Sequence, residues 1–220
     1  MREELIPSDR EILRPTEVVR SVTDIDFNKY AEQGIVNWGF DIEGTVARPQ
    51  SIDPIIPKEF ITHIDEARQA GSLHNLFLIT NRRDEPEHKL KGRPGYAEQA
   101  KQILGADLVI SRLDDIPGKP NPDMLFAAMS GLGLKPENTA YVGDKLTGDI
   151  RFANEAVLGV SIWVNPRYSV NSEDRPLDML VRRTLEAVHA RRLGLEAKGA
   201  GPLGWVACTL VKAFVRPDSK

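Results

Sequence analysis

The polar residues that close the apolar runs of this chain are of kinds that handle phosphate. Asp41 and Glu43 stand one residue apart behind GIVNWGF (34–40), with Gly44 and Thr45 directly after. LFLIT (76–80) ends on Thr80 and is followed by Asn81, LVIS (108–111) leads through a loop to Lys119, and TAYVGD (139–144) ends on Asp144 with Asp149 shortly beyond. Acids, a hydroxyl and a lysine gathered at one crevice would suit magnesium-assisted phosphoryl transfer. Magnesium prefers oxygen ligands and commonly takes one or two carboxylates together with water and substrate phosphate. A carboxylate can attack phosphorus and form an aspartyl-phosphate. A lysine and a cation neutralise the charge that would otherwise keep an anionic nucleophile from a phosphate.

Such convergence requires a fold that brings strand ends together. The five apolar runs, at 34–40, 76–80, 108–111, 139–144 and 160–164, are short and apolar at nearly every position, the pattern of strands covered on both faces in a parallel sheet. Helical patterns fill the gaps. Residues 57–70 carry Phe60, Ile61, Ile64 and Ala67 at helical spacing before Gly71, residues 95–104 form a second helix, and Asn121-Pro122-Asp123 opens a third that ends near Gly131 or Gly133. This alternation predicts an α/β domain with a Rossmann-like, doubly wound parallel sheet, in which ligands bind beyond the carboxyl ends of the strands.

The expected organisation is a lead-in at 1–33 packing on the core, the core at 34–170, and a C-terminal helical extension at 171–220. That extension reads as a long helix over 176–198 bearing Arg182, Arg183, Arg191, Arg192 and Lys198. An amphipathic tail follows, with Leu203, Val206, Ala207, Leu210, Val211 and Phe214 on one face. A basic helix beside an apolar face could meet an anionic membrane surface, or the tail could pack on the core or on a second subunit.

The whole-chain figures exclude several classes. With 220 residues, 41% of them hydrophobic, the chain can bury a sizeable core. A formal net charge of -3 gives no global attraction to nucleic acid, and no nucleic-acid partner is expected. Cys208 is the sole cysteine and His63, His74, His88 and His189 are scattered, so neither an intramolecular disulfide nor a zinc cluster is indicated. The charged N-terminus has no signal-like apolar run and no stretch approaches a spanning helix, which fits a cytoplasmic protein, with peripheral membrane attachment as the variant consistent with the C-terminal region. Oligomeric state is not legible.

Taken in order, DIEGT (41–45), Thr80, Lys119 in GKP and GDKLTGD (143–149) resemble the four motifs of the haloacid dehalogenase superfamily. The lead-in LRPTEVVRSVTDIDFNKYAEQGIVNWGFDIEGTV and the segment VGDKLTGDIRFANEAVLGVSIWVNP are similar to the YqeG-like branch (subfamily IIIA), itself similar to phosphatidylglycerophosphate phosphatases. The resemblance spans roughly residues 12–168. It implies that Asp41 is the nucleophile and Glu43 the general acid, that Thr80 binds the transferring phosphoryl group, and that Lys119 steadies nucleophile and phosphate. Asp144 and Asp149 would hold magnesium together with Asp41 and the backbone carbonyl of Glu43. Asn81 could bind phosphate through its amide or satisfy a turn. The spacing between motifs leaves no room for a large cap domain, and a capless site could accept a bulky phosphate, phosphatidylglycerophosphate first among candidates.

The sequence departs from that branch at Glu43, where the branch has aspartate, and at Gly44, Arg82, Lys145 and Gly148. One extra methylene moves the carboxyl by about 1.5 Å, and misplacement on that scale can cost roughly 100-fold in rate. Gly44 could give the loop slack to re-aim Glu43. Two other readings therefore stand beside the lipid phosphatase. One is a soluble phosphatase for a sugar, nucleotide or polynucleotide-end phosphate, and the other is a phosphate-binding or scaffold protein whose turnover is lost through Glu43.

Overall fold

The computed structural model describes residues 9–49, 51–83, 94–112 and 117–165, all within a first compact unit, Met1–Val170. The predicted C-terminal helix and tail lie outside the described residues. Six strands form one sheet: β1 Glu17–Val19, β2 Asn37–Asp41, β3 Asn75–Thr80, β4 Leu108–Ser111, β5 Thr139–Gly143 and β6 Val160–Val164. Their order across the sheet is β1-β6-β5-β2-β3-β4, and every pairing is parallel. The chain steps outward from β2 to β3 and β4, then returns to β5 on the other side of β2. That reversal is the topological switch point, and it leaves a crevice beyond the carboxyl end of β2.

The helices are α1 Asp9–Ile12, α2 Phe27–Ala31, α3 Lys58–Gln69, α4 Tyr96–Leu104, α5 Asp123–Leu132 and α6 Arg151–Glu155. Local sequence explains their ends. Gly71, Gly105 and Gly133 take positive φ just past α3, α4 and α5, where a side chain would be strained. The Asn121 carboxamide accepts from the Asp123 N–H at 2.9 Å, satisfying a donor that the first turn of α5 leaves open.

Both faces of the sheet are covered, which is why the strands read as continuous apolar runs. On β3, Leu76 and Leu78 join the core formed with Phe60 and Ile64 of α3 and Ala97 and Ala100 of α4, while Phe77 and Ile79 join the opposite core with Met124, Leu125 and Ala128 of α5. Each such fully buried large side chain contributes about 1.5–3 kcal/mol. Gly39 in β2 has no room for more than hydrogen, since a Cβ there would lie 2.3 Å from the Phe77 ring.

Two features depart from the sequence expectation. The first strand starts at Asn37, not Gly34, because Gly34 takes φ +84 and its N–H closes the end of α2 on Ala31 at 2.9 Å. The lead-in also supplies the edge strand β1, paired to β6, whose Glu17-Val18-Val19 is too short to show a period. Val19, Val22, Ile25, Phe27 and Tyr30 bury behind it in the α3-side core. Residues 42–57 and 81–95, which join β2 to α3 and β3 to α4, are each too short to hold a further folded domain. No helix among the described residues is long and apolar enough to cross a membrane.

Candidate active site

Asp41 ends β2 and is 2% exposed. Its Oδ2 accepts from the Thr45 hydroxyl at 3.2 Å, and its Oδ1 accepts from the Lys119 ammonium. Lys119 reaches this point from the loop before α5. Its Nζ also donates to Asp149 Oδ1 at 2.7 Å, to the Ile79 carbonyl at 3.2 Å and to the Tyr141 hydroxyl at 3.2 Å. The backbone of Lys119 is clamped by Asn81, whose Oδ1 accepts the Lys119 N–H at 2.8 Å and whose Nδ2 donates to the Lys119 carbonyl at 3.1 Å. Gly118 permits this approach, because a Cβ there would lie 2.6 Å from Asn81 Oδ1. The Asn81 amide is thus occupied at both ends by the strand of chain that carries the lysine.

Asp144 and Asp149 come from the end of β5 and the π-helical turn Leu146–Ile150. That turn folds Asp149 back over β5, where its Oδ2 accepts the Lys145 N–H at 3.1 Å. Gly143 makes the overlap possible, since a Cβ on it would meet the Asp149 Cβ at 2.2 Å. Asp144 is held by its backbone, whose carbonyl accepts the Trp163 indole N–H at 3.0 Å. Gly44 approaches from the β2 side at φ +87, and a Cβ there would lie 2.6 Å from Asp144 Oδ2. Gly44 therefore serves a left-handed turn and close contact with Asp144, a more definite demand than the slack expected of it.

Asp41, Asp144 and Asp149 each place a carboxylate oxygen within 4.8 Å of the others. Crowding two buried acids and a half-buried third is costly. Burial, with the Asp149 charge adding to it, raises Asp41 above the ordinary carboxylate range against the pull of Lys119. Burial likewise pushes Asp144 up to about 7, the neighbouring lysine Lys145 opposing it and the charges of Asp41 and Asp149 adding to it. Lys119 is raised too, from the opposite balance: burial alone would lower it, but Asp149 and Asp41 more than offset that and hold it firmly protonated. Asp144 Oδ1 is buried without a hydrogen-bond partner, its nearest cation being Lys145 Nζ at an ion-pair distance of 3.7 Å. An orphaned carboxylate oxygen facing two more acids fits a hard divalent cation, which would offset the crowded charge.

Glu43 is not one of the three clustered acids. Its Oε1 accepts from Arg82 Nη1 at 3.2 Å, and the side chain is 29% exposed. Thr80 is 1% exposed at the end of β3, and its hydroxyl accepts the Arg82 N–H at 3.0 Å. The structure therefore brings Asp41, Lys119, Asp144 and Asp149 into one charged cluster, with Asn81 behind the lysine and Thr80 and Glu43 linked through Arg82. Three contributors had not been singled out as site residues. Thr45 was signalled by its place four residues after Asp41. Arg82 was visible only as a departure from the family pattern. Tyr141 gave no signal, because in a buried strand its ring reads as core.

A family model described as haloacid dehalogenase-like hydrolase matches residues 58–156, the stretch that holds Thr80, Lys119, Asp144 and Asp149. That match spans less than half of the chain. A curated relative, the glyceraldehyde 3-phosphate phosphatase of Methanopyrus kandleri, is 55% identical over 38 residues, 17% of this chain and 16% of that protein. The chain thus matches under a fifth of that relative's length. Among solved structures, a HAD phosphatase from Thermococcus onnurineus is 23% identical, covering 56% of this chain and 50% of that one at a TM-score of 0.39. An uncharacterized protein from Listeria monocytogenes serotype 4b is 18% identical, covering 64% and 85% of the two chains at a TM-score of 0.44. At these TM-scores neither structure carries any part of the functional reading.

Proposed function

We propose that the protein is a magnesium-dependent phosphatase that hydrolyses phosphomonoesters through an aspartyl-phosphate on Asp41. The observation that carries this reading is the buried Lys119 ammonium, shared between Asp41 and Asp149 beside the third acid Asp144. Asp41, Asp144 and Asp149 would hold the cation, which when bound would neutralise phosphate charge. Asp41 attacks phosphorus, the bond from phosphorus to the ester oxygen breaks, and Glu43 gives that oxygen its proton. Glu43 then takes a proton from water as the water oxygen attacks phosphorus, releasing inorganic phosphate and restoring Asp41. Lys119 stays protonated throughout and holds the nucleophile in place. Thr80, at the end of β3, is the hydroxyl available to the transferring phosphoryl group.

Phosphatidylglycerophosphate is the substrate favoured by the likeness of the lead-in and fourth motif to the YqeG-like branch. A small sugar phosphate is the second reading, favoured by the short match to the glyceraldehyde 3-phosphate phosphatase. The two share a primary phosphate on a three-carbon unit, whose alkoxide leaves poorly and therefore needs a proton donor. Connections too short to hold a cap domain are compatible with either. The test is magnesium-dependent phosphate release from phosphatidylglycerophosphate in mixed micelles and from glyceraldehyde 3-phosphate, with wild type and Asp41→Asn. Release that is abolished by Asp41→Asn supports the mechanism, and the preferred substrate decides between the readings. No release from either, with phosphate still bound, would favour the binding-protein alternative.

A further inference from the structure

We propose that Arg82 is the positioning residue of Glu43, fixing where the longer acid presents its carboxyl. The inference rests on Glu43 being the proton donor of the reaction above. Arg82 is restrained along its length. Its backbone N–H is bound to the Thr80 hydroxyl at 3.0 Å, and its guanidinium carbon lies 4.1 Å from the centroid of the fully buried Tyr96 ring. Its Nη1 donates to the Ser51 carbonyl at 2.8 Å and to Glu43 Oε1 at 3.2 Å. One nitrogen therefore ties the acid to the 51–56 loop, and the aromatic face under the guanidinium sets the direction of that nitrogen.

Glutamate has one more rotatable bond than aspartate, so an unrestrained Glu43 would scatter its carboxyl over several rotamers. A planar, stacked guanidinium with fixed donor directions is suited to choosing one of them, and a lysine ammonium is not. The same turn thus organises three parts of the site. Thr80 closes β3 and binds the Arg82 N–H, Asn81 clamps the backbone of Lys119, and Arg82 holds Glu43. The extra methylene of Glu43 and the arginine after Asn81 are then one paired feature.

The test exploits leaving groups. Phenyl phosphate needs its leaving oxygen protonated, whereas 2,4-dinitrophenyl phosphate does not. Single-turnover release of the phenol is measured for wild type, Arg82→Gln, Arg82→Lys, Glu43→Gln and the Arg82→Gln/Glu43→Gln double variant. Arg82→Gln is expected to slow phenyl phosphate by about 10- to 100-fold, to leave 2,4-dinitrophenyl phosphate within about threefold, and to add nothing to Glu43→Gln. Arg82→Lys should not rescue. Equal slowing of both substrates, or additive effects in the double variant, would overturn the proposal. No release by wild type from either substrate would refute the phosphatase reading itself. The placement is then read from a crystal structure of Arg82→Gln, where a displaced Glu43 carboxylate supports the proposal and an unmoved one overturns it.

Discussion

Replacing Lys119 with methionine removes one charge from the centre of the site while keeping most of the side chain's apolar stem. In the wild type the Nζ donates to Asp41, Asp149, the Ile79 carbonyl and the Tyr141 hydroxyl, and the lysine side chain is 3% exposed. Asp41 and Asp149 are 2% and 1% exposed, so neither can recover water when the ammonium goes. Stranding buried charge in this way costs about 3–5 kcal/mol. For a domain of this size that is a melting-temperature decrease of roughly 6–20 °C. Circular dichroism melts in the presence of a chelator read this directly. Added magnesium should stabilise Lys119→Met more than wild type, because the cation then supplies part of the missing positive charge. The Asp41→Asn/Lys119→Met double variant should be less destabilised than the two single effects together, since the stranded charge at Asp41 is gone. A melting point for Lys119→Met within about 2 °C of wild type would refute the reasoning, because it would mean the acids do not depend on the ammonium.

Two further substitutions probe how backbone geometry serves the same cluster. Gly143→Ala places a methyl where the Asp149 Cβ already sits, at 2.2 Å, and should cost about 1–3 kcal/mol in thermal melts while weakening magnesium binding measured by calorimetry. Asn81→Ala leaves the Lys119 N–H and carbonyl without their partners and should cost about 1–3 kcal/mol in urea unfolding, with phosphate release falling as the lysine loses its fixed backbone.

The sequence alone determined the alternation of strands and helices, because strands buried on both faces must be apolar throughout and helices must show their period. It also determined which polar residues end those strands, and the order of Asp41, Thr80, Lys119 and Asp144 matched a known family pattern. The edge strand β1 escaped it, since three residues carry no period and the pairing with β6 joins residues about 145 apart, as Glu17 and Ile162 show. The tertiary structure alone decided which strand-end residues meet. Lys119 and Asp149 touch only because the chain reverses at β2 and the π-helical turn folds back over Gly143. It likewise decided that the Asn81 amide clamps the lysine loop and that Glu43 is bound by Arg82. Those contacts join residues 38 or 39 positions apart, and a linear pattern records residue types but not the three-dimensional distances through which charge and hydrogen bonding act.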